Sequence, residues 1–517
     1  MPTPPRFDHE PLTPTAFLQR TARVFPDRIG VVDGELRYTW SQFLDRCERL
    51  AGALRTAGVA PGDRVAVLAP NSHVLLAAHY AVPFAGAVLV ALNTRLTPAD
   101  IAWILDHAGA TLLICDDALA AAGEQAAARA ASRPRLWRVG GGRDELEARI
   151  VQSAPFLHPV EDERSLLAID YTSGTTGAPK GVMYHHRGAH LQALAMAMHM
   201  RLDSDSVYLW TLPMFHCNGW CFPWAVTAMG SRHLCLARVD AAAIWRHLCH
   251  SGVTHFCAAP TLLTMAVWDP DAAKLERSVR VATGGAPPTP ALLQRLAALG
   301  MDITHLYGLT ETYGPSAICE WRSEWDSLPM PEQARLKARQ GVCNVIGAPL
   351  RVVDAAGGDV PADAKTMGEI AVRGNNVMLG YYRDDAATQR ACPDGWFRTG
   401  DLGVMHADGY VELRDRAKDI IISGGENIAS VEVEQAINSH PAVLEVAVVA
   451  GPDEKWGEVP VAFVTLKAGA SATERELIDH VRGSVAHFKA PRRVVFGPLP
   501  KTSTGKVQKK ALRDQLR

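Results

Sequence analysis

Paired cysteines are missing from this chain. Its ten cysteines are scattered, with no CxxC spacing, which argues against a disulfide framework and against an ordered zinc site. They read as reduced thiols of a cytoplasmic protein. Charge of one sign is lacking too: 53 Lys and Arg stand against 55 Asp and Glu, a formal net charge of −2. No global pull toward nucleic acid or an anionic membrane follows. Long apolar runs are absent, since 77–92 is interrupted by His79, Pro83 and Gly86, so no membrane span is expected. The first residues, Met1-Pro2-Thr3-Pro4-Pro5-Arg6-Phe7, have no apolar signal core. Asp514 to Arg517 spell no peroxisomal or retention address. His247, Cys249, His250, His255 and Cys257 have metal-binding types without ligand spacing, and are expected to be core and surface residues.

What is present is an ordinary globular composition. The 517 residues are 48% hydrophobic and 21% charged, enough for roughly two to four domains. Helical and β-rich patterns alternate: 43–55 helix, 64–68 strand, 74–85 helix, 87–92 strand, 101–107 helix, 111–115 strand. That alternation predicts an α/β fold of layered subdomains with parallel strands. The segment 118–131 is alanine-rich and predicts a surface helix. From about Gly347 the pattern changes to short strands and Gly/Asp turns (350–354, 368–373, 408–413), predicting a β-rich lobe. The charged run Asp415-Arg416-Ala417-Lys418-Asp419 is a hinge candidate. Beyond it, helices at 432–438 and 474–486 and strands at 444–449 and 459–466 suit a small, mobile α+β domain. The expected domains are 1–417 and 418–517. The basic tail (Lys501, Lys506, Lys509, Lys510, Arg513, Arg517) reads as a solvated helix face.

The most informative stretch is Tyr171-Thr172-Ser173-Gly174-Thr175-Thr176-Gly177-Ala178-Pro179-Lys180-Gly181, which follows an apolar strand at 166–169. Its glycines bring backbone N–H groups close to an anion, its hydroxyls donate further hydrogen bonds and Lys180 adds charge. This is the chemistry of a loop over a polyphosphate. The spacing is not Walker-type, because Lys180 is followed by Gly181 and Gly174 plus five is Pro179. Four further motifs lie downstream. Thr283-Gly284-Gly285-Ala286-Pro287-Pro288 follows a short strand at 279–282 and lets a flat ring slide against the backbone. Tyr307-Gly308-Leu309-Thr310-Glu311-Thr312 brings an aromatic, a hydroxyl and a carboxylate to a strand end, where α/β sheets favour ligands; a carboxylate beside polyphosphate suits Mg²⁺. Gly395-Trp396-Phe397-Arg398-Thr399-Gly400-Asp401 places an acid after a glycine turn, where it can accept from ribose hydroxyls. Lys501-Thr502-Ser503-Thr504-Gly505-Lys506 is a loop carrying two lysines.

Together and in this order, these motifs resemble the acyl-adenylate-forming superfamily: acyl-CoA synthetases, adenylation domains of peptide synthetases, and luciferases. The resemblance spans about residues 15–513. Pro213-Met214-Phe215-His216-Cys217-Asn218-Gly219-Trp220 and the segment Glu332 to Gly341 look most like short- and medium-chain acyl-CoA ligases, such as the methylmercaptopropionate-CoA ligase group and plant acyl-activating enzymes.

The resemblance implies roles by position. Ser173, Gly174, Thr175, Thr176, Gly177 and Lys180 would embrace the β- and γ-phosphates of ATP. Gly285 and Ala286, with Tyr307, would sandwich adenine. Thr310 would contact the α-phosphate, Glu311 would hold Mg²⁺, and Asp401 and Arg416 would bind ribose. Lys506 would bridge the carboxylate and α-phosphate. Lys418 would be the pivot for the C-terminal domain, whose Ser423, Gly424, Gly425, Glu426 and Asn427 would line a tunnel for the pantetheine arm of coenzyme A (CoA). His216 would gate that tunnel. The acyl pocket would be Trp220, Gly284, Gly308, Leu309, Tyr313 and Gly314. Acetate-specific relatives carry a tryptophan where this chain has Gly308, so an acid larger than acetate is expected, apolar or aromatic; Trp220 could limit depth instead. The implied reaction is that of an AMP-forming acid-thiol ligase, with ATP, Mg²⁺ and CoA. Loading a carrier protein, or activating nitrite to diazotise an aryl amine, keeps the same motifs and stays open at this point. A homodimer is likewise open.

Overall fold

The computed structural model describes residues 9–141, 144–172, 179–284, 290–501 and 507–516. The readings on Ser173, Gly174, Thr175, Thr176, Gly177, Gly285, Ala286 and Lys506 lie outside them.

Strands and helices alternate through the first half of the chain. Arg64–Leu68, Val88–Ala91 and Ala110–Asp116 are short and largely buried, which suits strands covered on both faces. Before the first of them Thr39 caps the helix Trp40–Thr56 in a reciprocal box with Gln42, and between the second and third Thr97 does the same with Asp100 for Pro98–Ala108. The helix His73–Phe84 is apolar all round and wholly buried. These pieces form a six-stranded sheet in the order 135–139, 110–116, 64–68, 88–91, 166–171, 181–185. Its neighbours are parallel except the last pair, which is antiparallel.

A second sheet of nine strands has a parallel centre (Ile29–Asp33, Arg232–Cys235, Val207–Leu209, His255–Ala258, Val279–Gly284, Met301–Leu309) and antiparallel edges. A four-stranded antiparallel sheet follows, in the order 351–353, 368–372, 397–405, 411–416. This is the β-rich lobe. Beyond it a five-stranded sheet with the helices Ser430–Asn438 and Glu474–Arg482 encloses its own apolar clusters around Ile421, Val433, Val448 and Leu477 and around Val449, Phe463 and Leu512. The fold is therefore α/β, with layered subdomains, a β-rich lobe and an α+β C-terminal unit.

Some local readings change. The strand expected at 408–413 starts at Val411, because Asp408 and Gly409 (φ 83°) form a turn. The helix expected at 474–486 stops at Arg482. Among the described residues of the tail Lys510 is exposed, but three other cations are paired. Lys501 pairs with Glu445 at 2.6 Å, Lys509 with Glu434 at 2.8 Å and Arg513 with Asp419 at 2.6 Å. The last helix, Lys509–Asp514, is thus fastened to Ser430–Asn438 and to the segment just after Lys418.

Candidate active site

The strand Leu166–Tyr171 runs antiparallel to Gly181–His185. The Thr172 N–H donates to the Lys180 carbonyl at 3.0 Å, and the Lys180 N–H returns to Thr172 Oγ1 at 3.2 Å. The phosphate-loop motif thus spans two strands pinned at their ends, not a strand-to-helix turn. Residues 380–382 extend the base: the Met183 N–H donates to the Gly380 carbonyl at 3.0 Å and the Tyr382 N–H to the Gly181 carbonyl at 2.7 Å.

That extension brings in Tyr381, which the motif reading missed. Lys180 Nζ sits 4.4 Å from the centre of the Tyr381 ring, a cation–π contact. The Tyr381 hydroxyl donates to Glu311 Oε1 at 2.8 Å. Burial, then the Glu311 charge, raise the tyrosine pKa, so it stays a donor. Its signal in the sequence was an aromatic pair after Gly380; its partners lie far away in the chain.

Thr310–Thr312 form a short 3₁₀ turn after the strand Met301–Leu309. Tyr184 donates its hydroxyl to the Thr310 carbonyl at 2.6 Å, and the Met378 N–H donates to the Glu311 carbonyl at 2.9 Å. Glu311 is half-buried, and its Oε2 has no protein hydrogen bond among the described residues. A single carboxylate with one oxygen held and one open fits Mg²⁺, which takes one or two carboxylates and completes its shell with phosphates and water. Among the described residues no three or more His, Cys, Asp or Glu are grouped so as to hold a metal ion, those from His247 to Cys257 included.

On the other side of Thr310, three predicted nucleotide residues converge. The Tyr307 hydroxyl donates to Asp401 Oδ2 at 2.8 Å. Arg416 Nε lies 3.3 Å from Asp401 Oδ1. Asp401 sits inside the strand Phe397–Met405, not in a glycine turn, and its register partner across the ladder is Arg416. The β-rich lobe thus delivers a buried carboxylate and a cation beside Tyr307, at the end of the α/β sheet.

The acyl side is built on an unusual turn. Cys217, Asn218, Gly219, Trp220 and Cys221 have φ of 51°, 45°, 55°, 56° and 64°. Left-handed backbone costs L-residues about 1–2 kcal/mol each, so the surroundings must hold it. The half-buried His216 enters this turn. Cys217 Sγ lies 3.5 Å from Thr310 Oγ1. A Cβ on Gly314 would lie 2.8 Å from Trp220 Cδ1, and one on Gly284 would lie 3.2 Å from its Cη2. Trp220 therefore packs between these two glycines as a wall. Gly308 opens nothing by itself: a Cβ there would lie 1.9 Å from the Gly314 carbonyl oxygen. Leu309 is half-buried beside Thr310, and its N–H donates to Thr312 Oγ1 at 2.9 Å. Tyr313 is wholly buried. It stacks on Tyr184 with ring centres 3.8 Å apart, and its hydroxyl accepts the His185 N–H at 2.6 Å, so it backs the site. Burial raises the Cys221 thiol well above its usual pKa, which keeps it an un-ionised core group.

In the C-terminal unit Gly424 (φ 59°) and Gly425 (φ 88°) form the two-residue turn between Ile421–Ser423 and Glu426–Ile428. Two consecutive positive φ values suit a hairpin turn of the glycine-demanding kind. A Cβ on Gly424 would lie 2.6 Å from the Trp456 ring. Asn427 is exposed on the second strand, and Lys418 is exposed at the proposed hinge.

The described residues form two clusters near the end of the strand Met301–Leu309: Tyr307 with Asp401 and Arg416, and Lys180 with Tyr381 and Glu311. Fold and site together define an adenylate-forming enzyme. The chain belongs to the AMP-binding enzyme family, whose model matches residues 18–382, with the AMP-binding enzyme C-terminal domain matching 432–506. It is similar to an acetate–CoA ligase of Humulus lupulus, 45% identical over 97% of this chain and 94% of that protein. It is also similar to a 2-methylpropanoate–CoA ligase of Humulus lupulus, 44% identical over 98% and 95%. Among solved structures, ATP-bound MatB from Rhodopseudomonas palustris superposes with a TM-score of 0.85 at 27% identity, covering 97% of this chain and 99% of that one.

Proposed function

We propose that this protein is an acyl-CoA synthetase that converts a compact, uncharged monocarboxylic acid to its CoA thioester through an acyl-adenylate. An acid oxygen attacks the α-phosphorus of ATP, the bond to the β-phosphate oxygen breaks, and pyrophosphate leaves. The CoA sulfur then attacks the acyl carbonyl, the carbon–oxygen bond to AMP breaks, and the thiol proton passes to solvent. The observation that carries this reading is the convergence of Tyr307, Asp401 and Arg416 next to Thr310 and Glu311.

Each residue is assigned a task in this reading, and the role of Lys506 rests on the motif alone. Asp401 accepts from ribose hydroxyls while Arg416 neutralises it, and Tyr307 lies along adenine. Thr310 donates to the α-phosphate, and Lys180 leaves the Tyr381 face for the β- and γ-phosphates. Glu311 holds Mg²⁺, which supplies positive charge to the departing phosphates. Lys506 brings a cation between two anions; at an effective dielectric near 20 and ~4 Å separation this contributes about 4 kcal/mol, or roughly a thousandfold in rate. His216 and Trp220 bound the acyl group. No side-chain nucleophile takes part.

The two steps need different surroundings at one acyl group, so we place the domain boundary at 417/418 and assign Lys418 as the pivot. In one pose the C-terminal domain presents Lys506; in the other, Ser423, Gly424, Gly425 and Asn427 meet the pantetheine arm. CoA is favoured as acceptor over a carrier protein or an aryl amine, because the similar curated proteins are named as CoA ligases. The ten free cysteines fit the reducing cytoplasm. Among the described residues no helix is long and apolar enough to cross a membrane.

A panel from acetate to benzoate tests the reading. Pyrophosphate and AMP should form only with an acid, and mass spectrometry should find acyl-CoA. Release of ADP, or pyrophosphate formed with nitrite plus an amine and with no acid, overturns it.

A further inference from the structure

One buried carboxylate has no part in the reaction just described. Asp170 lies in the strand Leu166–Tyr171, three residues before the glycine-rich loop, and is 2% exposed. Its Oδ1 accepts the Asn218 backbone N–H at 3.1 Å, and its Oδ2 accepts Asn218 Nδ2 at 2.6 Å. Two donors of one residue thus meet the two oxygens of one carboxyl group.

The residue so held is the second of the five left-handed positions, 217–221. Internally that turn has the Gly219 N–H on the His216 carbonyl at 2.9 Å and the Cys221 N–H on the Asn218 carbonyl at 3.0 Å. L-residues do not sustain a left-handed run by themselves, and asparagine is among the side chains that tolerate it best. Asn71 braces the approach, accepting the Met214 N–H at 2.8 Å. Asp170 braces the turn itself, from the strand that leads into the phosphate loop.

We propose that Asp170 is a positioning residue: by clamping both donors of Asn218 it fixes the left-handed turn that presents His216 and Trp220, and so ties the acyl wall to the phosphate-loop strand. The inference rests on the acyl role given above to His216 and Trp220. An apolar side chain at 170 would leave two buried donors unpaired, and asparagine would leave one donor facing another. In either case the turn loses its anchor and Trp220 its fixed place between Gly284 and Gly314.

The test uses the full-length protein, wild type and the variants Asp170→Asn, Asn218→Gly and both together. Glycine at 218 keeps the left-handed backbone and removes only the side-chain donor. Two readouts separate this inference from the functional reading. The first, independent of activity, is thiol labelling followed by mass spectrometry. Cys217 and Cys221 are buried in the turn, and Cys47 and Cys257 are buried elsewhere. Labelling of Cys217 and Cys221 should rise about tenfold in each single variant while Cys47 and Cys257 stay unchanged, as for a local opening. The second is kinetic: KM for the acid should rise about tenfold or more with KM for ATP within about twofold, and the double variant should be no worse than the worse single. Unchanged labelling at Cys217 and Cys221, a uniform rise at all four thiols, equal losses for acid and ATP, or additive losses in the double variant would each overturn the proposal. Should Asp170→Asn not fold, Asn218→Gly carries the same tests. A wild type that activates no acid would defeat the functional reading, while the labelling pattern would still decide for or against the clamp.

Discussion

Tyr381 spans a gap between two residues of opposite charge. Its ring faces Lys180 and its hydroxyl holds Glu311, so both groups wait in place before nucleotide arrives. Tyr381→Phe keeps the ring and deletes the hydrogen bond. A bond to a charged group contributes about 1.5–3 kcal/mol, so kcat/KM should fall about tenfold and more Mg²⁺ should be needed for half-maximal pyrophosphate release; a response identical to wild type across a Mg²⁺ titration would contradict the arrangement. Trp220 makes a second test at this scale. Trp220→Gly suits the left-handed backbone and removes the wall, so acids longer than the native one should gain in kcat/KM relative to acetate, at a stability cost of about 3–5 kcal/mol, measured by competition assays and urea unfolding. Tyr307, Asp401 and Arg416 were legible because their motifs keep a fixed order along the chain. Tyr381 was not, because its hydrogen-bond partner is 70 residues away and sequence spacing does not convey that contact.

At the scale of elements, short apolar β-rich runs between helical patterns gave away strands such as Arg64–Leu68 to the residue. Ends set by turn geometry, as at Gly409, moved by a few positions. The left-handed turn at Cys217–Cys221 was not read from the sequence: Asn218-Gly219 suits positive φ, but nothing in Cys217, Trp220 and Cys221 extends it to five residues. Gly308 was visible as a glycine, and the backbone adds a reason for it that the motif did not. It lies where the antiparallel strands Met301–Leu309 and Gly314–Ile318 approach most closely. Gly308→Trp should therefore give no acetate-selective enzyme; adenylation of every acid should drop about a hundredfold or more through displaced strands, and an active, acetate-specific variant would refute this account. Gly424→Ala meets Trp456 and a positive φ together, so thioester formation from supplied acyl-AMP should suffer more than pyrophosphate release.

For the whole molecule, buried titratable groups set a stability window. Burial lowers His79, His186 and His305 from 6.5 to about 4, and His233 to about 3. The unfolded chain takes up these protons first, so this part of the stability is intact above 6.5 and is lost as pH falls toward 4, by about 1.4 kcal/mol per pH unit for each imidazole. Asp170 acts in the opposite direction. Burial raises it from 3.8 to about 8, so its contribution is intact below 3.8 and is lost as pH rises through 8. The Asp170 term therefore falls across the range 3.8 to 8 and is flat above it, so Asp170→Asn should remove a decline of the urea midpoint within that range and leave the slope above pH 8 unchanged.

The hairpin at Gly424 has a practical corollary. Of the twelve tryptophans, only Trp456 lies beyond Lys418, and it packs directly on that hairpin. Grown with 5-fluorotryptophan, the protein offers one ¹⁹F probe in its C-terminal unit, identifiable by replacing Trp456. Its chemical shift, followed as acyl-AMP and then CoA are added, would time the swing between the two half-reactions without any foreign dye.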